Sequence, residues 1–411
     1  MPTQKTDLNT TWTINTDNDT WTLAKNATIT TAGQDGVFVG NEFTGNTIRL
    51  LGDVTVTGGV ASGVNINGDN NKLVIGAKSL IDGSAVNVGV NIGGTDATVI
   101  NAGVIKGLVG GLQADISTSL INSGRIEGGW AVTSQFDDFD VSNTGRIIGG
   151  SYGVRAEGDN AAIENLEGGM IKADTAVGFF NGENSSLTNE GKILGDISGG
   201  TGETSIVNRG MIKGDIALGA GEDLIDTRKG TIDGQVDGGD GADTYIVSSQ
   251  SINIVEQEGG VGMDEVRSTV SFTLADNLET LTLLGKQDID GTGNSGGNVL
   301  RGNAGDNVLR GMHGDDSIDG GRGDDMLIGG TGEDVFAFDL KTGNDVIKDF
   351  VDGEDLILSD FVGGQADFDD MMANHLTVQG DDLLITYGND TLLIKNMDKA
   401  DLDMNDFMTG L

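Results

Sequence analysis

The chain has no cysteine, one proline and two histidines in 411 residues, and its 24 Lys and Arg are outnumbered by 64 Asp and Glu. Without cysteine, neither a disulfide framework nor a thiolate metal site is available, so something else must hold the fold. The net charge of −40 would repel nucleic acid and anionic membrane surfaces and makes cations the natural partners. No stretch approaches the roughly eighteen apolar residues of a membrane span, so membrane insertion is not expected. The amino terminus, MPTQKTDLNTTWTINTDND, lacks the basic start and apolar core of a cleaved secretory signal, and any export is expected to use another one. There is no H-E-x-x-H for a zinc protease and no G-x-S-x-G for a hydrolase elbow.

What is abundant is glycine, 69 residues, set among Val, Ile and Thr at 36% hydrophobic content, the composition of a turn-dense all-β protein. One pattern recurs between about 99 and 232: TVINAGVIKG, SLINSGRIEG, DVSNTGRIIG, AIENLEGGMIKA, SLTNEGKILG, SIVNRGMIKG and DLIDTRKGTIDG. Aligned, the copies give an apolar column of Val99, Leu120, Val141, Ile163, Leu187, Ile206 and Leu224, and a second of Ile105, Ile126, Ile147, Ile171, Ile193, Ile212 and Ile232. Both should point inward. A third column holds Asn101, Asn122, Asn143, Asn165, Asn189 and Asn208, closed by Asp226; a fourth is Gly103, Gly124, Gly145, Gly169, Gly191, Gly210 and Gly230. The spacing matches one turn of a right-handed parallel β-helix, with asparagines bonding their amides up and down the stack and glycines supplying the positive φ of a tight corner. Weaker turns upstream start the solenoid near residue 12, leaving 1–11 as a cap or tail.

Towards the end of this region the corners become acidic. ISGGTGETSIV, IALGAGEDLID and VDGGDGADTYI, within 199–246, replace Thr204 by Asp223 and then Asp243 after the glycine pairs Gly219, Gly221 and Gly239, Gly241. Two stacked carboxylates repel unless a cation lies between them. From Gly293 the repeat is strict: GNSGGNVLR, GNAGDNVLR, GMHGDDSID, GGRGDDMLI and GGTGEDVFA. Six residues make a turn whose glycines, among them Gly302, Gly305, Gly311, Gly314, Gly320, Gly323, Gly329 and Gly332, let carbonyl oxygens point inward. Three more make a short strand whose eighth-position residue, Leu300, Leu309, Ile318, Leu327 or Phe336, enters the core. Two units complete a coil, so sixth-position side chains stack on two edges: Asn298, Asp316 and Asp334 on one, Asn307 and Asp325 on the other. An edge of carboxylates and carbonyls from successive turns suits calcium, a hard cation with roughly six to eight oxygen ligands. The asparagines should make the first site on each edge weaker. His313 occupies a free third position and is not expected to bind metal.

This segment resembles an RTX (hemolysin-type) calcium-binding block, and its flanks, VRSTVSFTLADNLETLTLLG and DVFAFDLKTGNDVIKDFVDGEDLI, resemble those of serralysin-like and other type I secreted proteins. The resemblance covers about 219–411. It implies several bound calcium ions, a parallel β-roll over 293–338, and export from a Gram-negative cell by type I secretion machinery that reads an uncleaved carboxyl-terminal signal. The tail LLIKNMDKADLDMNDFMTGL, within the cap 339–411, resembles such a signal. The expected order is therefore a β-helix over 12–247, a β connector over 248–292, the roll and the cap.

No catalytic set emerges. His313 and His375 both follow the β-helix, and Asp137, Asp138 and Asp140 in QFDDFD have no partners that would complete one. The expectation is a secreted calcium-binding solenoid without chemistry of its own, serving in an S-layer, adhesin or fibre at the cell surface or in the matrix, with further copies of itself among its candidate partners. The alternative is a carbohydrate-binding or lyase- or epimerase-like β-helix, with Arg125, Arg146 and Lys192 as a basic column for cell-surface polysaccharide.

Overall fold

The computed structural model describes residues 2–408 apart from 116, 258, 259, 261, 339, 340 and 360. The chain forms two compact units, Met1–Asp240 and Gly241–Leu411, and is all-β in the main, built as a parallel β-solenoid. Among the described residues no helix is long and apolar enough to cross a membrane.

In the first unit the repeated strands stack parallel and in register. Val99, Leu120, Val141, Ile163, Leu187, Ile206 and Ile225 lie directly above one another, none more than 1% exposed. The second column pairs Ile105, Ile126, Ile147, Ile171, Ile193, Ile212 and Ile232 as expected; only the last is half-exposed. Each buried side chain of this kind stabilises by about 1.5–3 kcal/mol, which is what makes the rungs stack. Three expectations are corrected here. Ile225, not Leu224, completes the first column, and Thr227, not Asp226, meets Asn208. Asp226 instead turns outward to Arg228, whose hydrogen bond and charge hold its carboxyl below the usual range. The glycine column is required for space rather than for positive φ: a Cβ on Gly124, Gly145 or Gly210 would lie 2.1–2.2 Å from the carbonyl oxygen of the glycine one turn earlier.

The asparagine column is a continuous amide ladder. Asn101 donates from Nδ2 to Asn122 Oδ1 at 2.8 Å, Asn122 to Asn143 at 2.7 Å, and the chain continues through Asn165 and Asn189 to Asn208 at 2.8 Å per step. All six are at most 1% exposed, so each amide finds inside the solenoid the partners that burial takes from it in water. The first residues join the stack as well: Thr3–Gln4 pairs parallel with Thr20–Leu23, and Leu8 bridges to Ile29. Asp137 and Asp138 accept from the next turn, from the Asp159 N–H at 2.9 Å and the Asn160 amide at 3.2 Å. The basic column is broken, because Met170 stands between Arg146 and Lys192 and Arg125 is ion-paired with Glu127.

The second unit has two parallel walls. One stacks Thr244–Val247, Glu265–Ser268, Thr280–Leu283, Val299–Arg301, Ser317–Asp319, Val335–Ala337 and Leu356–Leu358. The other stacks Phe272–Thr273, Gly291–Thr292, Val308–His313, Met326–Thr331 and Asn344–Ile347. The stretch 248–292 thus contributes rungs of the same ladders, continuous with those of the nine-residue repeats. Leu281, Leu300, Ile318, Phe336 and Ile357 from one wall, and Leu309, Leu327 and Ile347 from the other, fill the interior at 0–1% exposure. The end is closed by chain returning from the carboxyl side: Asp390–Ile394 adds to one wall and pairs antiparallel with Asp382–Tyr387, and Phe407–Met408 adds to the other. The last three residues of the tail, 409–411, lie outside the described residues.

Candidate metal centre

The turns of the strict repeat are joined by one recurring bond, in which the backbone N–H of the sixth residue donates to the sixth side chain of the next coil. On one edge Asn298 donates to Asp316 Oδ1 at 2.7 Å, Asp316 to Asp334 at 2.9 Å and Asp334 to Asp355 at 3.0 Å. On the other, Asn307 donates to Asp325 at 2.7 Å and Asp325 to Asp345 at 3.0 Å. The edges predicted from the period are therefore present, each continued by a carboxylate that the period did not reveal. Asp345 and Asp355 close the short signature G-x-D-x-U in GNDVI and GEDLI, where inserted residues stretch the spacing to 20 and 21.

These five aspartates are only 1–3% exposed, and the structure offers them little positive charge. Burial, reinforced by the carboxylates of neighbouring turns and only partly offset by the backbone donor, pushes Asp316 and Asp325 up to about 7 and Asp334 and Asp345 up to about 6. Asp316 and Asp325 each leave the second oxygen, Oδ2, buried with no hydrogen-bond partner. An oxygen of this kind is costly alone and is satisfied by a hard cation. The space beside it is kept by the first glycine of each unit. A Cβ on Gly311 would come 2.0 Å from Asp316 Oδ2, on Gly320 2.5 Å from Asp325 Oδ2, and on Gly329 2.1 Å from Asp334 Oδ2. A Cβ on Gly302 would meet the Gly320 carbonyl at 2.0 Å and one on Gly305 the Gln287 carbonyl at 2.6 Å. Gly314, Gly323 and Gly332, at φ of 98°, 126° and 133°, take the left-handed turn that side chains resist. The donors are all oxygen, and the residues fit calcium: Asp316, Asp325, Asp334, Asp345 and Asp355 could hold it, and it would supply the positive charge that the fold lacks there.

Asn298 and Asn307 are built differently. Asn298 Oδ1 accepts from the Asn294 N–H at 2.7 Å and its amide donates to the Leu278 carbonyl at 3.0 Å; Asn307 does the same with Asn303 at 2.8 Å and Ile289 at 2.6 Å. His313 is exposed at the end of Val308–His313, apart from this pattern.

The earlier acidic corners divide between the two units. In the first, Asp223 accepts the Thr204 N–H at 2.6 Å, with Gly219, Gly221 and Gly239 at φ of 102°, 122° and 100°. In the second, Gly241 at φ 143° precedes Asp243, whose N–H donates to Asp264 Oδ1 at 2.9 Å, while the Asp264 N–H donates to Glu279 at 2.8 Å. Asp243, Asp264 and Glu256, which bonds Tyr245, bring carboxylate oxygens within 4.8 Å of one another and are all buried. Asp264 and Glu256 escaped the sequence reading, although GMDEV carries the same G-x-D-x-U signature.

With this geometry in view, the sequence comparison is specific: the signature of the RTX calcium-binding nonapeptide repeat matches at 292–327 and again at 302–336. Residues 292–336 are an RTX calcium-binding block. No curated protein matches the chain. Among solved structures, the extracellular lipase LipA from Serratia marcescens is similar at 17% identity over 50% of this chain and 40% of that one, with a TM-score of 0.20.

The RTX block has one strained residue. Its second position holds Gly321 and Gly330 at φ of 84° and 111°, but in the third unit the same corner is made by Met312 at φ 91°, its side chain 44% exposed. A bulky residue there stores about 1–3 kcal/mol, and glycine costs about 0.5–1 kcal/mol in unfolded-state entropy. Met312→Gly is therefore expected to stabilise the calcium-loaded protein by about 1 kcal/mol, read as a higher urea midpoint at unchanged slope.

Proposed function

We propose that this chain is a secreted structural protein of the cell surface or extracellular matrix, exported unfolded through type I secretion machinery and folded by calcium outside the cell. The observation that carries the reading is the pair of buried, unpartnered carboxylate oxygens on Asp316 and Asp325 within the RTX block. In calcium-poor cytoplasm these charges and the net −40 oppose compaction; at millimolar calcium the folded state alone binds the ion and gains about 2.7 kcal/mol per site when calcium is a hundredfold above its dissociation constant. Export and folding are coupled by the same residues.

A structural role, as S-layer, adhesin or fibre component, is supported by long parallel ladders that bury the same columns at successive rungs, and by the placement of the residues that catalysis would need. His375 packs on Tyr387 at 4.0 Å and bonds the Thr386 carbonyl, and Asp137 and Asp138 accept hydrogen bonds from the next turn. No catalytic role is assigned to either. A polysaccharide-binding reading would rest on Arg125, Arg146 and Lys192, which share one strand column with Met170 between the last two.

The test is a calcium titration of the purified chain followed by circular dichroism and light scattering, with negative-stain images at saturation. Ordered sheets or fibres appearing as the β signal and scattering rise together are expected. Folding to a lasting monomer would defeat the assembly role and leave calcium as a folding trigger alone.

A further inference from the structure

The RTX block is uniform in its first and fourth glycines but not in its second and sixth residues, and the difference divides it chemically. In the first two units every polar atom of the sixth side chain is satisfied by protein. Asn298 accepts from one backbone N–H and donates to one carbonyl, and Asn307 does so too, at 2% and 1% exposure. The second position of the same two units repeats the chemistry. Asn294 donates to the carbonyls of Ala275 at 2.7 Å and Leu278 at 2.8 Å, and Asn303 to those of Leu284 at 3.3 Å and Gln287 at 3.0 Å. Five carbonyl oxygens of the preceding coil, on Ala275, Leu278, Leu284, Gln287 and Ile289, are thus taken up by amide hydrogens. In the later units the second position is Met312, Gly321 and Gly330, which offer no side-chain donor, and the sixth is aspartate.

We propose that Asn294, Asn298, Asn303 and Asn307 form a metal-free coil, in which side-chain amides do for the carbonyls what calcium does further on, so that the ion ladder begins only at Asp316 and Asp325. The inference rests on the calcium reading above. Amide assignment is settled here by the neighbours: the oxygen faces a backbone N–H and the nitrogen a backbone carbonyl, and the reverse orientation would satisfy neither. A calcium ion entering this coil would have to break those bonds and would meet no carboxylate at the sixth position in return. The coil consequently needs no calcium of its own to hold its hydrogen bonds, and in the exported chain it presents the N–H groups of Asn298 and Asn307 as a template on which Asp316 and Asp325 dock.

Hydrogen exchange on the full chain, in EGTA and in calcium, tests this directly. In EGTA, peptides within 278–310 are expected to stay protected while those within 311–358 exchange at least tenfold faster than in calcium. Loss of protection in both segments at one calcium midpoint would overturn the metal-free coil, and indifference of both to calcium would instead sink the calcium reading itself. Asn298→Asp supplies the complementary measurement. It should bind one more calcium ion by calorimetric titration than the unsubstituted chain and should make 278–301 lose protection in EGTA; unchanged stoichiometry with unchanged exchange would count against the proposal. If that variant fails to fold even in calcium, the exchange pattern of the unsubstituted chain still decides.

Discussion

Asp316→Asn is expected to make the protein more stable without calcium and less stable with it. The substitution keeps the shape of the side chain and the oxygen that accepts the Asn298 N–H at 2.7 Å. What it removes is the charge that burial makes costly, an amide nitrogen taking the place of the second, partnerless oxygen. In EGTA at pH 8, where the carboxylate is ionised, neutralising a buried uncompensated charge should recover about 1–3 kcal/mol. In calcium the same change deletes an anionic ligand from an all-oxygen site, and the calcium midpoint for folding should rise at least tenfold, or about 1.4 kcal/mol. The two denaturation curves, with and without calcium, should therefore move towards each other. The position matters as much as the chemistry, because Asp316 sits between Asn298 and Asp334 and its loss touches the ladder on both sides. Asn307→Ala, in contrast, should leave the calcium midpoint within about twofold while lowering stability in EGTA as well. A parallel loss of stability in both buffers for Asp316→Asn would mean that the residue acts through packing and holds no ion.

The sequence carried most of this because a parallel solenoid repeats one physical problem at every turn, and the same residue solves it each time. The isoleucine and asparagine columns and the two edges of the RTX block could be read as soon as the period was found, since stacked burial and stacked hydrogen bonds demand identity at fixed spacing. The misreadings came where the spacing changes. Between Asn208 and Thr227 the first-column core residue that sets the register is Ile225, so aligning on the acidic Asp226 shifted the column by one. Asp345 and Asp355 lay beyond a strict period of nine, although the corner signature G-x-D-x-U marks both, as it marks Asp223, Asp243 and Asp264. The reason for the glycine column was not legible at all. A glycine demanded by φ and one demanded by a carbonyl 2.1 Å from its missing Cβ look the same in a sequence.

Acid is expected to substitute in part for calcium. Asp316 and Asp325 are raised to about 7, and Asp334 and Asp345 to about 6, chiefly because burial disfavours their charged forms and neighbouring carboxylates add to it. In the unfolded chain the same groups titrate near the ordinary 3.8, so between about pH 4 and 7 the folded state binds more protons than the unfolded one. Stability from this source is fully present below the unfolded value and is lost as pH rises through 6 and 7. In EGTA the segment containing these residues should accordingly be more resistant to urea at pH 5 than at pH 8, with the loss running from pH 5 to about 7 and little further change above that. Exposed carboxylates, whose repulsion also weakens in acid, titrate mostly below this window and do not imitate the effect. With calcium the sign reverses. The ion competes with the protons that neutralise the ladder, so its affinity should climb from pH 5 to about 7 and then level off. The same four carboxylates thus predict a falling curve without calcium and a rising one with it. A flat EGTA curve between pH 5 and 8 would show that these aspartates are not held buried and uncompensated in the calcium-free fold, and that the roll has already opened.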